Sequence, residues 1–83
     1  MLFLIFTAEG LAEAESEVLA HQAGLWLNPA LKSESDLTVF EKAGINIQPL
    51  PYQVDASDEK AVMAALTFVE QHSQDKAIFV EYL

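Results

Sequence analysis

LFLIF, residues 2–6, is a continuous apolar run, and a second run, AIFV at residues 77–80, lies near the other end of the sequence. Neither run alternates with polar residues, which predicts strands covered by protein on both faces. Between them, segments with helical periodicity alternate with short strand-like segments. Apolar strands separated by amphipathic helices are typical of a parallel sheet with helices on both faces. The sequence therefore predicts an α/β fold.

The predicted elements follow one another as strand and helix three times, with a fourth strand at the end. Strands are predicted at residues 2–6, 25–27, 45–48 and 77–80, and all 83 residues form a single α/β domain. The first helix is expected over residues 11–22 with Gly24 as its stop. A short second helix follows the Ser33-x-x-Asp36 capping pattern and ends at Gly44, and the third covers residues 58–72.

The predicted sheet has four mainly parallel strands. Because the first and last strands are the most apolar, we expect strands 1 and 4 to lie at its centre. The strand order 2-1-4-3 fits this best, and 3-2-1-4 is the second choice. Pro49 and Pro51 directly follow the third strand, which predicts an edge position because proline cannot donate to a neighbouring strand.

The charge of the chain excludes several classes of function. Thirteen acidic residues stand against four lysines and no arginine, for a net charge of −9. Nucleic-acid and anionic-membrane binding are disfavoured by this balance. The chain has no cysteine, which excludes thiol chemistry, and no cofactor is expected. The first apolar run is too short for a membrane span or a signal-peptide core, which predicts a cytoplasmic protein.

The apolar content predicts a partner. Hydrophobic residues make up 52% of the chain. A domain of this size buries only about 60–65% of its unfolded surface, so a monomer cannot hide so much apolar material. We therefore expect a homodimer or a hetero-complex. The third helix is apolar on nearly every side, and its expected interface residues are Met63, Ala64, Thr67 and Phe68.

Ligands of open parallel sheets bind beyond the carboxyl ends of the strands, where the loops converge. At that edge the candidate ligand-binding residues are Thr7, Glu9, Gly10, Asn28, Tyr52, Asp55 and Glu81.

Each candidate also has a structural interpretation. The turn from Thr7 to Gly10 could present backbone N–H groups to an anion, but a helix cap at Thr7 with a turn at Gly10 is the favoured explanation. Asp55 and Asp58 could hold magnesium, although acids also belong at a helix start. Glu81 interrupts an apolar strand, so it either needs a partner or reaches water.

Metal and hydrolase sites are not predicted. Glu13, Glu17 and His21 stack at four-residue spacing on the first helix. Two ligands from adjacent turns are too few for a metal site, and an ion pair explains the same spacing. No catalytic triad is recognisable, so no catalytic residue is assigned.

The sequence is compatible with three functions. The favoured one is a non-enzymatic dimerising or protein-interaction module. The second is a minimal enzyme or small-ligand binder that uses Glu9, Asp55 or Glu81 as acid or base. The third is an acidic decoy that occupies a basic nucleic-acid-binding partner, motivated by the acids between Glu9 and Glu17.

Overall fold

A computed structural model describes residues 1–75 and 77–81, and Lys76, Tyr82 and Leu83 lie outside the described residues. In chain order the described elements are β1 (Leu2–Ile5), α1 (Ala8–His21), β2 (Gly24–Leu27), α2 (Pro29–Glu34), α3 (Thr38–Lys42), β3 (Ile47–Pro49), α4 (Glu59–His72) and β4 (Ile78–Val80).

The sheet has four strands in the order β3-β2-β1-β4, and every described pair is parallel. The predicted α/β class is therefore confirmed. The preferred order 2-1-4-3 is wrong, and the second choice, 3-2-1-4, is the observed one. β1 lies inside the sheet as expected, whereas β4 pairs with β1 alone among the described strands and lies at an edge.

Helices cover both faces, as predicted. The chain crosses the sheet in one direction from β1 to β3 and returns to β4, so right-handed crossovers place the helices on opposite sides. The core under α1, α2 and α3 contains Ile5, Leu11, Val18, Leu25, Leu27, Leu31 and Phe40. The core under α4 contains Leu4, Phe6, Leu50, Val54, Val62, Ala65 and Val69.

α1 begins earlier and ends differently than predicted. Thr7 caps its start by accepting a hydrogen bond from the Gly10 N–H at 3.0 Å. Gln22, with φ 51° and ψ 44°, takes the left-handed position at its end, so Gly24 is not the stop. Gly24 belongs to β2, where an added Cβ would approach the Leu2 side chain to 2.6 Å.

α2 was missed by the sequence analysis. It begins at Pro29, two residues after the second predicted strand, because proline fits the first helical position. Ser33 lies inside α2 and donates to the Ala30 carbonyl at 3.2 Å, so the predicted Ser33-x-x-Asp36 capping box is wrong. Asp36 accepts a hydrogen bond from the Thr38 N–H at 3.0 Å, but the N-cap position of α3 is Leu37, which makes no side-chain capping bond.

Three other predicted features are confirmed. Gly44 follows α3 with φ 76°, a conformation that glycine adopts without a steric cost. β3 lies at the edge of the sheet and ends at Pro49. Asp58 caps α4 by accepting from the N–H groups of Lys60 and Ala61.

Among the described residues, one face of β4 has no helix packed over it. Ile78 and Val80 pack toward α4, but Phe79 points to the other side, where α1 covers only the neighbouring strands. The Phe79 side chain is 49% exposed, so the expectation that the last strand is covered on both faces is wrong. The cause is strand order, since a strand at the centre would have lain beneath a helix.

No helix in residues 1–75 and 77–81 combines the length and the apolar character needed to cross a membrane.

Candidate functional site at the strand ends

The carboxylate of Glu81 occupies the first turn of α1. Glu81 directly follows β4, next to the end of β1. Its Oε1 accepts from the N–H of Phe6 at 2.7 Å and from that of Thr7 at 3.0 Å. Its Oε2 accepts from the Thr7 hydroxyl at 2.5 Å. A negative group is favoured here because the helix N-terminus carries partial positive charge.

Gly10 makes this position possible. A Cβ at residue 10 would overlap the Glu81 carboxylate, so glycine is required by the close approach. The Thr7 hydroxyl donates to Glu81 and accepts from the Gly10 N–H, which links the carboxylate to the helix cap. The chain's own carboxylate therefore lies beside the N-terminus of α1, where an external anion would also be favoured.

Asn28 joins three strand ends from a buried position. Its side chain is 1% exposed and donates to the carbonyls of Phe6 at 2.9 Å and Val54 at 2.8 Å. Its Oδ1 accepts from the Val54 N–H at 2.8 Å. These bonds connect the residues that follow β1, β2 and β3. The Asn28 side chain thus connects these segments beyond the point at which the strands themselves end.

The remaining candidates are exposed to solvent. Glu9 is exposed on α1, and Tyr52 is 60% exposed in the loop after β3. Asp55 is exposed and accepts hydrogen bonds from the hydroxyl and N–H of Ser57, at 2.7 and 2.9 Å. These two bonds hold the pKa of the Asp55 carboxyl below its usual value, with the hydroxyl bond the larger cause. Thr7, Gly10 and Glu81 come together; Glu9, Tyr52 and Asp55 do not join them.

An open groove lies beside the strand-end edge. Its volume is about 290 Å³, and it lies between α1 and the face of β4 that carries Phe79. We call it the β4 groove, and its lining residues are Phe3, Ile5, Gly10, Glu13, Ala14, Glu17, Phe79, Val80 and Glu81.

The histidines and acids of α1 and α4 make local contacts. The Nε2 of His21 lies 3.3 Å from Glu17 Oε2, which is the predicted pair at four-residue spacing. His72 stacks on Phe68 with ring centroids 4.0 Å apart. The described part of the chain contains no group of three or more His, Cys, Asp or Glu residues that could hold a metal ion.

The outer face of α4 presents part of the expected interface to solvent. Met63 is 54% exposed, and Ala64 and Thr67 are also exposed. Phe68 is half-buried and contacts Trp26 edge to face, with centroids 5.6 Å apart. Trp26 itself packs against the core under α4. Met63, Ala64 and Thr67 therefore share the exposed face of α4, and the half-buried Phe68 lies next to it.

Sequence reasoning missed two features. The first is the aromatic floor of the β4 groove, where Phe3 and Phe79 stack with centroids 5.1 Å apart. The second is the bonding of Asn28, which was selected only for its place after a strand. The signal for Glu81 was visible, because an acid in an apolar strand needs a partner, but Thr7 could not be named as that partner from spacing alone.

Together these features define a small three-layer α/β protein whose strand-end edge is bonded to its own side chains. No protein-family model matches the chain, and no curated protein or solved structure is significantly similar to it.

Proposed function

We propose that this chain is a non-enzymatic protein-interaction module that forms a homodimer through the outer face of α4. The observation that carries the first half is the position of Glu81. Its carboxylate fills the turn after β1 at which a parallel sheet of this kind would receive an anionic ligand. Asn28 is likewise bonded within the chain. The polar groups of this edge are thus engaged in holding the fold together.

The second half is supported by the composition of the outer face of α4. Met63, Ala64 and Thr67 are exposed at helical spacing, and the two smaller residues allow a second helix to approach closely. An antiparallel two-fold contact centred between Ala64 and Thr67 would bring Lys60 of each copy near Glu70 of the other. Both are exposed, so the contact would pair opposite charges in a chain that is otherwise strongly acidic.

Sedimentation equilibrium of two matched variants tests the dimer. Met63→Lys puts a charge inside the proposed contact, while Val39→Lys puts the same charge on α3, where Val39 is 43% exposed. We expect a dimer mass at micromolar concentration for the original chain and for Val39→Lys, and a monomer mass for Met63→Lys. A monomer mass for the original chain, or equal behaviour of the two variants, would contradict the proposal.

The other hypotheses stay predictions. A small-ligand or enzymatic role would require Glu81 to leave Thr7 when a ligand binds, which nuclear magnetic resonance of the Thr7 amide would detect. The acidic decoy role would require binding to a basic protein that disappears at moderate salt. A cytoplasmic location belongs to the same proposal and is tested by expression with a fluorescent tag.

A further inference from the structure

We propose that the β4 groove binds a basic amphipathic helix of another protein. This surface is separate from the outer face of α4, and it exists because of the strand order. Among the described residues, the connections between β1, β2 and β3 put no helix over the face of β4 that carries Phe79. In a three-layer fold, this side of β4, next to α1, has the position of one more helix.

The floor of the groove is apolar and prearranged. Phe3 and Phe79 stack with an interplanar angle of 24°, and Phe79 remains 49% exposed. Stacking restricts both rings, so an incoming apolar side chain meets a fixed surface and little ordering entropy is lost on binding. Aromatic side chains of this kind are common anchors of protein interfaces.

The wall formed by α1 is acidic. Glu13 and Glu17 are exposed and both line the groove. They are one helical turn apart, a rise of about 6 Å along the axis. Two basic residues at the same four-residue spacing on a partner helix would meet both carboxylates. Glu17 also contacts His21, but that pair is 50% and 64% exposed, so a lysine or arginine can compete for it.

A helix fits this place better than an added strand. β4 has three residues, and its backbone faces β1 through the Ala77 carbonyl and the Glu81 N–H. Within β4, alternation then leaves Ile78 and Val80 with backbone groups directed outward, which is a short edge for strand pairing.

A second copy of the chain is also a poor occupant. A two-fold contact through the groove would set Glu13 and Glu17 of one copy against the same acids of the other. Like charges brought together in this way oppose association, and each chain already carries a net charge of −9. The charge of the wall therefore selects a basic partner.

The probe is a synthetic amphipathic helical peptide with leucines on one face and lysines at four-residue spacing beside them. Its control is the same peptide with glutamate in place of every lysine. Binding is measured by titration calorimetry at physiological ionic strength, where general attraction to an acidic protein is screened. We expect the lysine peptide to bind with micromolar affinity and the glutamate peptide not to bind.

Two double substitutions with the same change in charge locate the site. Glu13→Lys with Glu17→Lys reverses the wall of the groove, whereas Glu34→Lys with Glu41→Lys reverses exposed acids on α2 and α3. We expect the first pair to weaken binding about tenfold, because two exposed ion pairs are lost, and the second to change it far less. Phe79→Ser, which removes the floor, should also weaken binding.

Three results would overturn the proposal. The first is no binding of the lysine peptide to the original chain. The second is an equal loss from both double substitutions, which would show attraction by net charge alone. The third is a set of peptide-induced amide shifts on α4 rather than on α1 and β4. The first two results do not bear on the α4 dimer, because Met63→Lys tests that contact separately.

Discussion

Replacing Glu81 with alanine should remove a large part of the stability of this domain. The carboxylate accepts hydrogen bonds from two backbone N–H groups and one hydroxyl, all at the start of α1. A hydrogen bond to a charged group contributes about 1.5–3 kcal/mol. Because Glu81 is only half-buried, water can reach the vacated groups and lower the total. We expect Glu81→Ala to reduce the free energy of unfolding by about 2–4 kcal/mol, against about 5–15 kcal/mol for a typical domain.

Urea denaturation followed by circular dichroism measures this change. Glu81→Gln keeps an acceptor for the two N–H groups but loses the charge, so we expect about half the effect of alanine. Glu15→Ala, at an exposed position of α1, is the control and should change the free energy by less than about 0.5 kcal/mol. If Glu81→Ala and Glu15→Ala unfold at the same urea concentration, the carboxylate does not stabilise the strand-end edge and the reasoning fails.

Three further predictions concern the same edge and its loops. Asn28→Ala should destabilise by about 3 kcal/mol in the urea assay, because buried backbone groups lose their partners; a loss below about 1 kcal/mol would contradict this. Gly10→Ala should displace Glu81 and move the Thr7 amide resonance as Glu81→Ala does, and an unchanged resonance would show that the two positions do not compete. Ser57→Ala should raise the pKa of Asp55 toward its usual value in a carbon-13 titration. Because folding lowers the pKa of Asp55, its carboxylate stabilises the fold at pH values above the usual aspartate pKa. This stability is lost as the pH falls through the lowered pKa, and the loss should be smaller in the variant.

The α/β class could be predicted because periodicity reports which faces of an element are buried. The Thr7 and Asp58 caps were predictable for a similar reason, since a cap bonds residues two or three positions away. The start of α2 was not, because Pro29 fits the end of a strand and the first turn of a helix equally well. Local structure in this chain can therefore be predicted from the sequence wherever a residue type favours a single conformation.

Strand order and the candidate site depended on contacts that are distant in sequence. Phe79 is as apolar as Phe3, and nothing in either residue distinguishes an edge strand from a central one. Glu81 and the Phe6 N–H that donates to it are 75 positions apart, so spacing could not join them. Asn28 was selected for its place after a strand, but its three bonds reach Phe6 and Val54, which only the folded sheet brings near it.

The pairing of β1 with β4 has a consequence for how this chain acquires its structure. β1 needs neighbours on both sides, and one of them lies more than 70 positions further along the chain. Contacts of such long sequence separation slow folding, because the entropy of a large loop is lost before the contact forms. During synthesis, β1 can meet β2 early but keeps one apolar edge open until β4 has been made. The nascent protein therefore passes through a stage with an exposed strand edge, at which it is most prone to aggregate.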